Sequence, residues 1–512
     1  MATISEVIAT QRKENVLFSP ETTTETTTVE EAAAGTLTVK LVNQTSSSTV
    51  YAYITGLSIS NNNAVVLLQA DGSTLYYPTN PSSNGAALAE DCAIPLGAPG
   101  STTTVNIPYI AGGRIWFCVG STLTFLLNIG TSGPALVEPS VSNTSDPNYL
   151  KSWDFCEFTY NSSELFANIT YVDFVCLPIA LTLNSTSGAV THVGGLPANG
   201  LSTICNDLIA QNTSDGAGWD QLVITNGGTN LRALNPTQGI VFNSALFQNY
   251  WTDYVNDVWA AYVSTPLTVN TQASWGNVTG STSSSLTFGS IGSFTKPSAA
   301  DIFGGSSGAF AAQSTNTDQL LNIGARLDAA FNRSTLLINS VQPNSEVVST
   351  YYTNAITNHY ARIVHATNVD GLGYCFPYDD VTPDGGVNQC GAVNDPTPDS
   401  FIVTVGGNNA YTQSKLSRGE ANKSVAEDST AINQENRPAP EEETKLPSYL
   451  NSDDQNLKSG EHPKPANELA PSKQSKGSIM KLHSVLGRLF GKHLTVSPWK
   501  FISRRRKSSP PS

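Results

Sequence analysis

Between about residues 35 and 180 the chain repeats short runs of β-branched and aromatic residues that are separated by Gly, Pro and Asn. Short runs of this kind, bounded by turn residues, predict the strands of a β-sandwich or barrel. This part of the chain is therefore expected to be mainly β. The clearest predicted strands are residues 36–42, 50–54, 64–68, 114–118 and 122–126.

The spacing of apolar residues changes to a helical period after Gly195. Asn199 is expected to cap a first helix, and further helices are predicted at about 244–263 and 318–331, with strands and polar turns over 266–292. Residues 351–405 return to a strand and loop pattern. The predicted architecture is a β-sandwich formed by residues 36–190 and 336–407, with a mixed α/β domain inserted at 191–335.

Both ends of the chain differ in composition from this body. The Thr- and Glu-rich residues 1–35 and the Ser-, Pro-, Glu- and Lys-rich residues 408–475 are expected to be a disordered leader and a disordered linker. Residues 476–512 contain nine Lys and Arg and no acidic residue. They predict a basic amphipathic helix that touches an anionic surface or a partner; the alternatives are an unstructured tail or a gene-model error.

The charge of the chain is divided along its length. The net charge is −14, but residues 1–407 hold only 10 of the 27 Lys and Arg against 30 of the 41 Asp and Glu. An acidic body repels phosphates, which argues against nucleic acid, and it is compatible with a neutral polysaccharide. The body is therefore the expected functional unit.

The seven cysteines give an ambiguous indication of the compartment. Cys375 and Cys390 flank a turn-rich loop and could close it as a disulfide, which would suggest secretion; the alternative is that the thiols are buried small hydrophobes. The N-terminal residues contain no apolar run of the length that a signal peptide needs, and no run of 18 apolar residues predicts a membrane span. An extracellular or cell-wall location is expected, with the export route open.

Two carboxylates, Glu157 and Asp173, occur inside apolar, strand-like sequence, where burying a charge is costly. If residues 153–161 form a strand, alternation places Trp153, Glu157, Thr159 and Asn161 on one face, an aromatic floor with polar neighbours suited to a sugar. A turn over 162–167 would pair residues 168–177 with this strand and set Asp173 roughly opposite Glu157. Two facing carboxylates are the minimum apparatus of glycoside hydrolysis; solvated surface acids are the alternative.

Further polar residues are weaker candidates for the same cleft. They are His359, Arg362, Tyr378, Asp379 and Asp380. Core packing or turn formation accounts for these residue types equally well. A metal site of His and Asp residues is an alternative, but the expectation is a site without metal or cofactor.

The hairpin motif W-D-F-C-E-F-T-Y-N with N-I-T-Y-V-D-F-V-C-L-P resembles the catalytic hairpin of glycoside hydrolase family 64, the fungal and bacterial endo-β-1,3-glucanases with a thaumatin-like fold. Similar motifs follow in the same order over about residues 36–407. They are residues 195–200, 215–219, 296–303, 330–335, 357–365 and 374–380. We expect a protein of the fungal type, in which the sandwich and the inserted domain form a wide groove.

The resemblance implies inverting, internal cleavage of β-1,3-glucan by a monomer without a cofactor. Glu157 would be the general acid and Asp173 the general base. Thr159, Asn161 and Thr170 match positions that contact sugar, and Phe166 falls where some members have a stacking tryptophan. The alternative is a noncatalytic β-1,3-glucan-binding or cell-wall protein on the same fold.

Overall fold

The computed structural model describes residues 16–18, 35–131 and 133–407. The predicted linker at 408–475 and the basic tail at 476–512 lie outside the described residues, and so does the leader except for one strand. That strand, Val16–Phe18, pairs antiparallel with Ala135–Val137, so the expectation of an entirely disordered leader is wrong at these three residues. The described residues belong to one compact unit, and the predicted division into a sandwich and an inserted α/β domain stays a prediction.

The larger of the two main sheets, here called sheet I, has eight strands. Seven of them follow one another across the sheet, and the eighth, Ile94–Pro95, also pairs with Val50–Ser58. In order across the sheet the seven are Ala392–Asp395, Leu165–Ile169, Ser152–Tyr160, Ile110–Val119, Val50–Ser58, Ala64–Leu68 and Leu75–Tyr76.

The second main sheet, sheet II, brings the two ends of the described body together. Pro398–Val405 pairs in parallel with Leu37–Asn43 and antiparallel with Ile179–Ser185, which is the arrangement expected if the intervening residues form an insertion. Val190–Val193 and Thr102–Ile107 are its edge strands. Neither main sheet closes on itself, and side chains from both join one hydrophobic core, so the mainly β prediction is confirmed and the described strands form no barrel.

Three smaller sheets complete the described β-structure. The four-stranded sheet comprises Val16–Phe18, Ala135–Val137, Leu126–Asn128 and Ala86–Ala87. The three-stranded sheet comprises Phe174–Val175, Thr229–Leu234 and Val223–Asn226. The last, five-stranded sheet comprises Ser293–Phe294, Leu286–Thr287, Asn277–Thr282, Leu267–Asn270 and Val341–Gln342.

The described residues contain six α-helices, most of them in the middle third of the chain. These are Gly200–Asp215, Pro236–Phe242, Thr252–Ala261, Ala299–Gly304, Asp318–Arg333 and His359–Thr367. Three short 3₁₀ helices are Trp219–Leu222, Gly308–Phe310 and Val348–Thr350. No helix of the described part is long and apolar enough to cross a membrane.

The predicted helices near 200 and 318 are confirmed, while the one expected at 244–263 is shorter, Thr252–Ala261. The strand and loop expected over 351–405 is wrong at the helix His359–Thr367. This helix starts at Asn358, whose side chain accepts a hydrogen bond from the Ala361 N–H (3.0 Å) and so satisfies one of the free donors of the first turn.

The strand predicted at 122–126 is also wrong, because only its last residue enters a strand. The backbone N–H groups of Leu123 and Thr124 instead donate to side-chain oxygens, those of Tyr53 (2.9 Å) and Asn148 (2.8 Å). Side-chain acceptors can thus replace the partners that a sheet would supply.

All seven cysteines are free and buried thiols in this structure. The disulfide suggested between Cys375 and Cys390 is therefore not formed in it. The alternative, small apolar side chains packed in the core, describes these cysteines.

Candidate active site

Glu157 lies near the middle of the strand Ser152–Tyr160, which we call the Glu157 strand. It pairs with Arg114 on one neighbouring strand and with Asn168 on the other. Since directly paired residues share a face of the sheet, Arg114, Glu157 and Asn168 form one row across sheet I. Glu157 and Thr159 are half-buried while Phe158 between them is buried, so this polar row faces the more open side.

The turn of the hairpin is tighter than expected. The Asn161 side chain accepts the N–H groups of Ser163 (2.8 Å) and Glu164 (3.1 Å), which reverses the chain directly after the Glu157 strand. The return strand, Leu165–Ile169, therefore sets Asn168 and not Asp173 opposite Glu157, and the predicted register is wrong. Phe166 pairs with Thr159 and lies on the same face.

Asp173 reaches the site by another route. The chain leaves sheet I after Ile169, Thr170 forms a bridge with Tyr374, and Asp173 directly precedes the short strand Phe174–Val175 of the three-stranded sheet. Strand alternation ends at this departure. Alternation along one strand therefore does not relate the side-chain directions of Thr170 and Asp173.

Two residues around the helix Pro236–Phe242 hold Asp173. The backbone N–H of Asn235, the cap of this helix, donates to the Asp173 carbonyl (2.9 Å), and the Gln238 Nε2 donates to the Asp173 carboxylate (2.7 Å). The Asn235 side chain also donates to the carbonyl of Cys375 (3.1 Å). The position of Asp173 is thus set by the α/β part of the chain rather than by sheet I.

Asp154 fastens the segment that follows Asp173 to the Glu157 strand. Its buried carboxylate accepts the N–H groups of Cys176 (2.8 Å) and Leu177 (2.9 Å). Burial raises the pKa of Asp154 to about 7, although these hydrogen bonds favour the carboxylate. The contact ties the two chain segments that carry Glu157 and Asp173.

Arg114 connects the acidic groups of the site. Its guanidinium contacts Glu157 (3.3 Å) and makes a close ion pair with Glu138, and it lines a small cavity together with Glu138, Asp173 and Gln238. Burial alone would lower the pKa of Arg114, but the charges of Glu138, Glu157 and Asp173 raise it. Glu157 and Asp173 therefore share the electrostatic field of one buried cation.

The expected aromatic floor exists, but it is covered. The Arg114 guanidinium lies over the rings of Phe155 (4.9 Å) and Trp116 (5.5 Å). Trp153 is 1% exposed, packs edge-on against Phe174 and donates from Nε1 to the Asn148 carbonyl (2.9 Å). We correct its assignment as a sugar-facing residue: Trp153 supports the site from within the core.

His359 and Arg362 lie on the helix His359–Thr367, where they contact one another and the neighbouring helical region. Arg362 donates to His359 (2.9 Å) and to the Gln211 side chain (2.9 Å). The His359 ring packs edge-on against Trp219 (5.4 Å), and burial lowers the pKa of His359 to about 4. His359 and Arg362 therefore pack against neighbouring helices, and these contacts do not place them in the cleft.

The predicted Tyr378, Asp379 and Asp380 divide between core and rim. Asp379 is fully buried and paired with Arg333 (3.0 Å) and His365 (2.9 Å), which corrects its assignment to the cleft surface. Tyr378 and Asp380 are half-buried, and burial raises the pKa of Asp380 to about 7. The assignment of Tyr378 and Asp380 to the rim of the cleft stays a prediction.

Arg114, Glu138, Asn235 and Gln238 were not predicted. The sequence did contain a signal for Arg114. It is a charged residue in an apolar strand, in a body with only ten basic residues, and burying its charge is as costly as burying that of Glu157. The sequence contained no such signal for Gln238 and Asn235, because amide side chains are common at the start of a helix in any protein. Only the fold brings them to Asp173.

Replacing Gln238 by Leu is expected to lower the kcat of a reaction that uses the Asp173 carboxylate by about 10- to 100-fold, because a hydrogen bond to a charged group contributes about 1.5–3 kcal/mol. Steady-state kinetics together with circular dichroism would check this. Gln221→Leu is the matched control, since Gln221 is an exposed amide that accepts from Asn243. Equal kcat values for the two variants would contradict a role of Gln238 in holding Asp173.

The mainly β scaffold places two half-buried carboxylates, Glu157 and Asp173, near the guanidinium of Arg114, and two carboxylic groups are what most glycoside hydrolases use. Residues 35–405 match the model of the Glyco_hydro_64 family, described as beta-1,3-glucanase. The chain therefore belongs to this family.

Two curated relatives are bacterial. The chain is similar to a glucan endo-1,3-beta-glucosidase of Cellulosimicrobium cellulans, with 31% identity over 292 residues, 55% of this chain and 50% of the relative. A glucan endo-1,3-beta-glucosidase of Arthrobacter sp. (strain YCWD3) is 29% identical over 297 residues, again 55% of this chain and 50% of the relative. The chain thus spans about half the length of the curated relatives it matches.

Solved structures resemble this chain over nearly their full length. One is a laminaripentaose-producing beta-1,3-glucanase in complex with laminaritetraose, which is 32% identical in sequence and has a TM-score of 0.63. The match covers 73% of this chain and 99% of the chain of that glucanase. A beta-1,3-glucanase domain (GH64) from Clostridium beijerinckii, at 22% identity, has a TM-score of 0.55 and covers 73% of this chain and 98% of its own. The second likeness concerns the fold alone.

Proposed function

We propose that this chain hydrolyses β-1,3-glucan internally with inversion at the anomeric carbon, with Glu157 as general acid and Asp173 as general base. The observation that carries the proposal is the shared surroundings of the two carboxylates. Both are half-buried, and both lie beside Arg114, although Glu157 lies in sheet I and Asp173 lies outside it, directly before the strand Phe174–Val175. Family membership supports the substrate class.

In the proposed reaction Glu157 gives its proton to the glycosidic oxygen as the bond to the anomeric carbon breaks. Asp173, oriented by Gln238, takes a proton from the water that attacks the opposite face of the sugar. Arg114, which contacts Glu157 at 3.3 Å, would hold the Glu157 side chain in place during this transfer.

The hairpin register supports inversion over retention. Directly paired residues have Cβ atoms about 5 Å apart, which would suit the close carboxylates of a retaining enzyme. Glu157 pairs with Asn168, whereas Asp173 belongs to a different strand system. A separation of about 6.5–9.5 Å, which leaves room for the attacking water, is the geometry we propose.

The sugar-binding surface is proposed to continue from Glu157 along the hairpin. Thr159 and Phe166 are cross-strand partners on the face of Glu157, with Asn161 at the turn. Thr170 lies beyond the end of the return strand but is buried, with 4% exposed, which corrects its assignment as a sugar-contacting residue. A half-buried aromatic ring beside polar side chains suits a glucose unit, whose faces are apolar and whose edges carry hydroxyls. Tyr378 and Asp380 are proposed at the rim.

The finer features of the sequence analysis belong to the same proposal. They are a thaumatin-like sandwich of the fungal type, a monomeric enzyme with a wide groove for the glucan, and action outside the cell or in a wall. The alternative, a glucan-binding protein without activity, is disfavoured by the two retained carboxylates, because binding alone does not require an acid and a base.

Proton NMR of laminarin during early hydrolysis tests the proposal. Inversion predicts that the α-anomer of the new reducing end appears first and then mutarotates. The β-anomer appearing first would overturn the inverting assignment, and binding of laminarin without any new reducing ends would favour the binding protein. Internal cleavage predicts a mixture of long products at low conversion, in contrast to release of single glucose units.

A further inference from the structure

His365 on the helix His359–Thr367 forms a cluster with Cys375 and Asp379 on the loop that follows this helix. Their potential ligand atoms, a ring nitrogen, the thiol sulfur and a carboxylate oxygen, all lie within 4.8 Å of one another. Cys375 and Asp379 are fully buried, and His365 is half-buried with 11% of its side chain exposed. The glucan-cleaving chemistry proposed above uses none of the three.

The hydrogen bond of His365 leaves one ring nitrogen directed at the other two residues. Nδ1 lies 2.8 Å from the Gly371 carbonyl oxygen, which can only accept, so Nδ1 carries a proton. Nε2 then faces the Asp379 Oδ2 at 2.9 Å. Metal-binding histidines in proteins are held in this way, with the second nitrogen donating to a backbone carbonyl or a carboxylate.

Asp379 is also oriented by groups outside the cluster. Its Oδ1 accepts from Arg333 (3.0 Å), and its Oδ2 accepts from the backbone N–H of Cys375 (3.1 Å). Hydrogen-bonded carboxylates of this kind are common as metal ligands. The cluster therefore contains three donor groups, and His365 and Asp379 are each supported by a further contact.

We propose that His365 Nε2, Cys375 Sγ and Asp379 Oδ2 bind a divalent transition-metal ion of the zinc type. Nitrogen, thiolate and carboxylate ligands suit Zn²⁺, at about 2.0–2.3 Å from the ion. Tetrahedral ligands at such distances are roughly 3.3–3.8 Å apart, so the Nε2 to Oδ2 contact would have to widen by a few tenths of an ångström.

The charge balance permits a cation beside Arg333. In the structure the Nε2 to carboxylate contact holds one proton, and the Cys375 thiol, which faces the Gly373 carbonyl (3.4 Å), holds another. Binding of one divalent ion releases both protons, so the total charge of the buried cluster is unchanged. Arg333 retains its own contacts to Asp379 and Glu346.

The proposed ion would clip the loop 371–379 to the helix His359–Thr367. This loop contains Tyr374, whose backbone N–H donates to Ile169 (3.1 Å) and whose carbonyl accepts from Tyr171 (2.7 Å). The clip would therefore be structural, holding the chain that flanks Thr170. From the sequence, a metal site of His and Asp residues was only an alternative to a site without metal, and the combination of His365, Cys375 and Asp379 was not predicted.

The test uses the full chain, stripped with EDTA and titrated with Co²⁺ under reducing conditions. We expect about one equivalent to be retained, with a near-ultraviolet thiolate-to-cobalt absorption band that Zn²⁺ abolishes by displacement. The band should be lost in Cys375→Ser and kept in Cys390→Ser, a matched variant of another buried thiol. No retained Co²⁺, or an unchanged band in Cys375→Ser, would overturn the proposal.

A second measurement covers the case in which Cys375→Ser does not fold. Adding a molar excess of Zn²⁺ to EDTA-treated wild-type protein should raise Tm by at least about 5 °C, because an ion that binds only the folded state stabilises it. An unchanged Tm would count against the site. Neither measurement depends on glucanase activity, so the outcome is independent of the proposed function.

Discussion

Glu157→Gln is expected to lower kcat on β-1,3-glucan by about 10²–10⁴-fold, the usual contribution of a general acid. The amide has the size of the carboxyl group, but it has no proton to give to the leaving oxygen. Because Glu157 is half-buried and its contact with Arg114 is 3.3 Å, the variant should fold normally. Reducing-end assays on laminarin and circular dichroism would measure the two effects separately.

Glu164→Gln supplies the control on the same hairpin. Glu164 lies at the turn, where its carboxylate accepts from Asn394 (2.7 Å), and it should tolerate the change with activity within about twofold. Asp173→Asn should lose activity to a similar degree as Glu157→Gln. If activity persists in both site variants, the catalytic residues lie elsewhere, and the buried Glu138 beside Arg114 is the next carboxylate to examine.

Arg114→Met is expected to lower the free energy of unfolding by about 3–5 kcal/mol, because it leaves Glu138 as a buried charge without its cation. The side chains of Arg114 and Glu138 are only 12% and 6% exposed, so water replaces little of the lost interaction. Urea denaturation followed by tryptophan fluorescence would measure the change. Activity should fall as well, since Arg114 also contacts Glu157.

The double variant Arg114→Met, Glu138→Gln separates the charge effect from lost packing. Removing both charges should restore more than half of the lost stability, whereas activity should stay low because Glu157 still lacks Arg114. Arg362→Met serves as a reference, since Arg362 donates its hydrogen bonds to the His359 ring and the Gln211 side-chain amide, neither of which is a carboxylate. A double variant no more stable than Arg114→Met would show that packing of the guanidinium on Phe155 dominates.

Local patterns predicted the parts of this fold that depend on near neighbours. The helix Asp318–Arg333 followed from apolar residues at helical spacing, and the strand Ala64–Leu68 followed from a continuous apolar run. The short helix at His359 was missed because nine residues give little more than two turns of pattern. The predicted strand at 122–126 failed because distant side chains, not a neighbouring strand, satisfy its backbone.

The sequence by itself determined the β-rich body and the hairpin and led to the proposal of Glu157 and Asp173 as the acids, because strand period, turn residues and ionisable groups in apolar runs are local properties and the family resemblance assigned the roles. Tertiary structure decided how the two acids are held. The turn lies at 161–164 instead of 162–167, so that Asn168 and not Asp173 is the cross-strand partner of Glu157, and Gln238 and Arg114 came to Asp173 and Glu157 from other segments. Such long-range contacts depend on the packing of whole sheets, which no local pattern specifies.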